Sequence, residues 1–144
     1  MSKSDTFEND FAKLIFTATA IANIADNAAA SPLTSLYVAL HTADPGEAGV
    51  QTASECAYTG YARVAVARTA GGFTVTANAI ANAALVTFGQ KTGGADETAT
   101  YFSIGVAASG ATKVLYRGAL TPGLLISNLV TPEFAIGALD VTED

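Results

Sequence analysis

The hydrophobic positions of the chain change period once. In "FENDFAKLIFTATAIANIA", residues 7–25, apolar side chains recur at three- and four-residue steps: Phe7, Phe11, Leu14, Ile15, Ala18, Ala22 and Ala25. That spacing predicts a helix over 7–25 with one apolar stripe. Ser4 or Thr6 is placed to cap it, with Glu8 and Asp10 near its positive end. Phe16 and Ile24 fall off the stripe, so a second side is also apolar, as in a helix lying between two partners. "DNAAASP" then breaks the pattern at Pro32.

From Leu33 onward the period is two. "TSLYVALHT" alternates Leu36, Val38 and Leu40 inward against Ser35, Tyr37, Ala39 and His41 outward. "YARVAVART" sets Val64 and Val66 on one face and Arg63 on the other. "GGFTVTANA", "AALVTFGQ", "ATYFSIGVA", "TKVLYRGAL", "GLLISNL" and "FAIGALDVT" bring the set to about eight short strands, divided by Gly/Pro turns such as "DPG", "KTGG" and "TPG". No second helical stretch long enough for a βαβ crossover follows. The pattern predicts an all-β, mainly antiparallel, jelly-roll-like β-sandwich with an N-terminal α-helix. It divides into a helical arm over 1–32 and a sandwich over 33–144 within one domain.

At 144 residues the chain is long enough for a single core without a disulfide, and its lone Cys56 has no internal partner. Nothing approaches a membrane-spanning apolar run, and "MSKSDTFENDF" has no signal-peptide pattern, so the expectation is synthesis and retention in a cytoplasm. Seven basic residues against thirteen acidic give a net charge of −6, with the basic ones scattered. That argues against nucleic-acid and anionic-membrane partners. Charged residues make up only 14% of the chain, against about 25% in an average domain, while hydrophobics reach 50%. A surface so short of charge fits one that other subunits partly cover.

Candidate chemistry is sparse. In "LYVALHTADPGEAG", His41, Asp44 and Glu47 lie close in sequence, but no second histidine or nucleophile accompanies them. "DPGE" reads instead as a type II turn, with Pro45 setting φ and Gly46 supplying its positive value. Ser103 and Ser109 lie outside any G-x-S-x-G motif, and Cys56 has no neighbouring base. Glycines 71, 72, 93, 94, 105 and 110 read as turn residues, not a phosphate cradle. The sequence therefore predicts no enzyme, with no catalytic residue, cofactor or metal site.

Interface-type residues are better represented. Tyr58, Tyr61, Tyr101 and Tyr116 fall in or beside strands and, with Arg63, Arg68 and Arg117, belong to the types enriched at protein–protein hot spots. The expected contact residues are Phe7, Phe11, Leu14 and Ile15 on the helix, and Tyr58, Tyr61, Arg63 and Tyr101 along strand edges.

Three stretches carry a resemblance: "LYVALHTADPGEAG", "YTGYARV" at Tyr58–Val64, and "SIGVAASG" at Ser103–Gly110. With their surroundings they resemble a family of small virion proteins of tailed bacteriophages, described as capsid cement (head decoration) or tail-fibre-like. The likeness spans about Phe7 to Thr142 and is structural rather than catalytic. It implies a virion protein on the capsid exterior, a cement binding across capsomer seams and stabilising the DNA-filled head. Its partners would be the major capsid protein and further copies of itself, as dimer or trimer. The alternatives are a tail or tail-fibre component and, from another class, a carbohydrate-binding sandwich, which the absence of tryptophan disfavours.

Overall fold

A computed structural model describes residues 4–21, 25, 32–47 and 49–142. One helix and nine strands follow in order: α1 (Asp5–Phe16), β1 (Ser35–His41), β2 (Val64–Ala67), β3 (Phe73–Thr76), β4 (Ala79–Asn82), β5 (Val86–Thr87), β6 (Glu97–Gly105), β7 (Val114–Ile126), β8 (Glu133–Phe134) and β9 (Asp140–Thr142). The strands form three sheets, ordered β2-β1-β6-β7, β3-β4-β9 and β5-β8. The expected fold class holds: mainly antiparallel β, consistent with a sandwich, with one short N-terminal helix.

The chain divides into two compact units. The first comprises Met1–Ser35, Val66–Val86 and Phe134–Asp144; the second comprises Leu36–Ala65 and Thr87–Glu133.

In the first unit, Ser4 caps α1 by accepting from the Phe7 amide at 3.4 Å. The helix ends at Phe16, well short of the expected residue 25. Lys13 carbonyl accepts the Thr17 amide, the Thr17 hydroxyl and the Thr19 amide, and Ala18 turns to a φ of +55°. Arg68 closes the end: its Nε and Nη2 donate to the carbonyls of Ile15 and Leu14 at 2.7 and 2.8 Å, and Nη1 to Leu33 carbonyl at 2.7 Å. A guanidinium there supplies donors for orphan carbonyls and charge for the negative helix end. Beyond it, Ile21 and Ala25 exchange backbone bonds in an isolated bridge, while Ala22 and Ile24 lie outside the described residues.

The buried face of α1 is Glu8, Ala12 and Phe16, with the Phe16 ring edge-on to Phe73 of β3 at 4.8 Å. The apolar stripe that dominates the sequence pattern is the less buried side. Phe16, off that stripe, is the anchor because β3 and β4 pack where it points.

In the second unit, β1 pairs antiparallel with β6, Leu40 opposite Phe102 and His41 opposite Tyr101. Leu36, Val38 and Leu40 are buried as their alternation requires, but Ala39 and His41 have no exposure either. β1 lies inside its sheet, and the chain around 50–63 covers its second face. This corrects the outward placement of His41. Strand β7 joins what reads as two strands in the sequence: its register on β6 passes from Ala119 opposite Tyr101 to Leu124 opposite Ala99, leaving residues 120–123 bulged. A second irregularity falls at Leu115, between Val114 and Tyr116. Bulges, Pro122 and the charge of Arg117 make this sheet edge a poor template for stray pairing.

Candidate functional site

The densest polar constellation lies in the second unit and grows from Arg63, just before β2. Its side chain is almost wholly buried and forms a bidentate pair with Glu55, Nε to Oε1 at 2.7 Å and Nη2 to Oε2 at 2.8 Å. Nη1 also donates to Gln51 Oε1, Ala107 carbonyl and Thr112 Oγ1 at 3.1–3.2 Å, and Nη2 to Gly110 carbonyl at 2.9 Å. One planar fork thus ties residues 51–55 to the turn between β6 and β7. The hydrogen bonds to Glu55 hold the guanidinium pKa above its ordinary value.

The network continues inward. Thr112 Oγ1 donates to Gln51 Oε1 at 3.1 Å, while Gln51 Nε2 donates to Tyr37 carbonyl at 3.0 Å and Ser103 Oγ at 3.3 Å. Ser103 Oγ lies 2.7 Å from His41 Nε2, and His41 Nδ1 lies 2.8 Å from Ala53 carbonyl. A carbonyl only accepts, so Nδ1 carries the proton and Nε2 accepts from the serine hydroxyl. A neutral imidazole satisfies every partner. Burial, reinforced by Arg63, lowers the His41 pKa, against opposing pulls from Ala53 carbonyl, Glu55 and Asp44. Gly105 leaves room for this arrangement, since a methyl there would overlap the Gln51 amide.

Ser103 and His41 thus have the spacing of a nucleophile and its base, which the sequence does not place together. Neither has any solvent exposure, and the imidazole is oriented by a backbone carbonyl rather than a carboxylate. In this structure the pair is closed off from solvent and joins β1 to β6. Cys56 is buried and its thiol is pushed up to about 12 by burial and the Glu97 carboxylate, the opposite of an activated nucleophile. Among the described residues, no three His, Cys, Asp or Glu side chains gather to hold a metal. No described helix is long and apolar enough to cross a membrane.

The expected contact residues fall into two groups. Phe7 is 39% exposed, with its ring centroid 6.5 Å from that of half-buried Phe11; Leu14 and Ile15 are half-buried beside them. Tyr58, Tyr61 and Arg63 are instead drawn together inside the second unit. Tyr58 is buried and donates to Gly89 carbonyl at 3.0 Å; burial raises its pKa to about 12. Half-buried Tyr61 donates to Glu55 at 2.9 Å, accepts from the Leu40 amide and stacks on Phe88 at 6.1 Å. Burial also raises the Tyr61 pKa. Tyr101 is half-buried opposite His41. The turn at "DPGE" forms as expected: Gly46 has a φ of +79°, and its amide donates to Asp44 at 2.8 Å. Arg117 of β7 holds the loop through Asp44 at 3.0 Å and Glu47 at 3.8 Å.

Among the described residues of the first unit, an open groove of about 590 Å³ is lined by Thr17, Thr19, Thr69, Thr74 and Thr76 around Lys13 and Phe73. Apolar side chains exposed to solvent occur in both units, with Leu85 and Ile136 in the first and Leu125 and Leu129 in the second.

A family model described as podophage GP4 fiber I protein gp80 matches residues 3–142, and the chain belongs to that family. No curated protein matches it. The family is one of phage structural proteins, so the virion character implied by the resemblance stands. The fibre description favours the tail or fibre alternative over capsid cement.

Proposed function

We propose that this member of the podophage fiber I family is a structural subunit of a tail-associated fibre, acting by shape and contact rather than by catalysis. The family match over residues 3–142 carries the reading. The molecule supports it in two ways. Its buried cationic and imidazole side chains are held by internal bonds: Arg63 to Glu55, His41 to Ser103 and Ala53, and Lys91 to Asp96. Its surface also exposes apolar side chains, among them Phe7, Leu125, Leu129 and Ile136. A subunit repeated around a tail converts modest contacts of this kind into firm attachment through avidity.

The partners on this reading are other copies and the tail proteins that seat the fibre, with the half-open stripe Phe7, Phe11, Leu14 and Ile15 as one contact surface. Imaging purified virions, with the copy number measured by quantitative mass spectrometry, tests the assignment. Density projecting from the tail, at a small multiple of the tail symmetry, is the expected result. Hundreds of copies spread over the shell would overturn it in favour of capsid cement.

A further inference from the structure

The imidazole of His41, the single histidine of the chain, has no solvent exposure and is bonded from two directions. Nδ1 donates to Ala53 carbonyl at 2.8 Å, and Nε2 accepts from Ser103 Oγ of β6 at 2.7 Å. The two sides are not held alike. β1 keeps a five-residue register with β6 and has β2 as its other neighbour. Residues 50–56 meet β1 through an isolated bridge rather than a ladder, with the Thr42 amide on Ser54 carbonyl and the Cys56 amide on Leu40 carbonyl. Gln51 adds side-chain bonds to Tyr37 carbonyl and Ser103 Oγ.

Because Nδ1 already carries its proton, a second proton lands on Nε2. Ser103 Oγ, which already accepts from Gln51 Nε2 at 3.3 Å, must then accept from the imidazolium as well. Its own proton loses its acceptor, and a full charge stands out of reach of water. The groups around it give little relief. Glu55 is committed to Arg63 as a bidentate pair, Arg63 opposes a second cation, and Asp44 on the turn is paired with Arg117 of β7. Cys56 and Tyr61 stay neutral, their pKa values raised by burial, and β6 offers only Ser103 and, opposite in register, uncharged Tyr101. Burial accordingly holds the His41 pKa below its ordinary value. Lifting residues 50–56 removes the conflict, since the imidazole reaches water and Glu55 and Arg63 become hydrated together.

We propose that residues 50–56 form an acid-released cover: protonation of His41 favours a state in which this segment has left β1 while the β1–β6 ladder stays intact. An exposed imidazole takes up its proton near pH 6.5, so the open population rises by up to about tenfold per pH unit below that value. The device works in the same way whichever part of the virion carries the protein.

Cys56, 2% exposed at the end of the segment, reports the opening. The purified full chain is labelled with a pyridyl disulfide, a reagent that captures thiols in mild acid, between pH 7 and pH 5. Each rate is divided by that of glutathione at the same pH. The wild-type ratio should climb by up to about tenfold per pH unit below pH 6.5, while that of His41→Gln stays level. At pH 5 the wild-type rate should depend on urea far less steeply than the global transition followed by circular dichroism, as a local opening does. A wild-type ratio level in pH, an equal rise in H41Q, or a urea slope matching global unfolding would overturn the proposal. Should H41Q fail to fold, the wild type decides through its urea slope and its single imidazole resonance. That resonance should keep the neutral form in the folded protein through pH 6.5, and a folded imidazole titrating at or above that pH would defeat the idea.

Discussion

The Ser103 hydroxyl hydrogen-bonds His41 Nε2 at 2.7 Å, and neither residue has any solvent exposure. In an open cleft that distance would suggest catalysis. Here it ties β6 to β1 from within, with the serine donating to a neutral imidazole; a protonated Nε2 would itself donate and displace the serine proton.

Stability should therefore depend on pH through His41. Its folded pKa lies below the ordinary 6.5, so the unfolded chain binds the proton more readily. This contribution is complete above about pH 6.5 and is lost as pH falls, at up to about 1.4 kcal/mol per pH unit, until the folded pKa is reached. His41→Gln cannot titrate. Urea melts from pH 8 to pH 5 should show the wild-type advantage over H41Q shrinking as pH falls; an advantage that grows would contradict the buried neutral imidazole.

Arg63 joins the segment at 51–55 to the turn at 107–112 through one guanidinium. Arg63→Ala strands the Glu55 carboxylate, 15% exposed, and should cost about 3–5 kcal/mol. Arg63→Lys keeps the charge but not the fork and should recover only a minor part of that loss. Chemical denaturation of the three proteins measures it.

Gly105→Ala should destabilise by about 1–3 kcal/mol, because the new methyl meets the Gln51 amide. In a double-mutant cycle with Gln51→Ala, the two losses should fall well short of additive, since the clash disappears with the amide. Additive losses would show that Gly105 is required for another reason.

Arg68 caps α1 from across the first unit, so Arg68→Ala should loosen the helix before the rest of the unit. Hydrogen exchange should show lost protection in the last turn of α1, with overall stability down by about 1.5–3 kcal/mol for a charged hydrogen-bonding group. Unchanged protection at residues 13–16 would count against the capping role.

Cys56 should resist alkylation in the native protein and react on unfolding, since its thiol is buried and shifted up to about 12. Rapid native labelling at pH 8 would contradict that placement.

Much of the fold was legible because the strands carry their own period and turn chemistry. Leu36, Val38 and Leu40 are buried in the phase the alternation predicts, and Asp44–Pro45–Gly46 turns where its residues demand. One strand escaped notice, β4, which hides among alanines and asparagines, and β7 reads as two because it keeps its ladder through a bulge that looks like a turn. The helix was overextended because an alanine-rich run keeps helical spacing whether or not a cap closes it, and the closing residue, Arg68, lies over fifty positions away.

The sequence by itself determined the change from helix to strands, the tight turn and the virion family, because each is written in local period, turn residues or motif. Only the tertiary structure decided that His41 faces inward, that Phe16 rather than the Phe7–Phe11 stripe anchors α1, and that Tyr61, Arg63 and Glu55 meet. Alternation separates the two faces of a strand but does not say what covers each one. That depends on segments distant in sequence, whose approach no local pattern encodes.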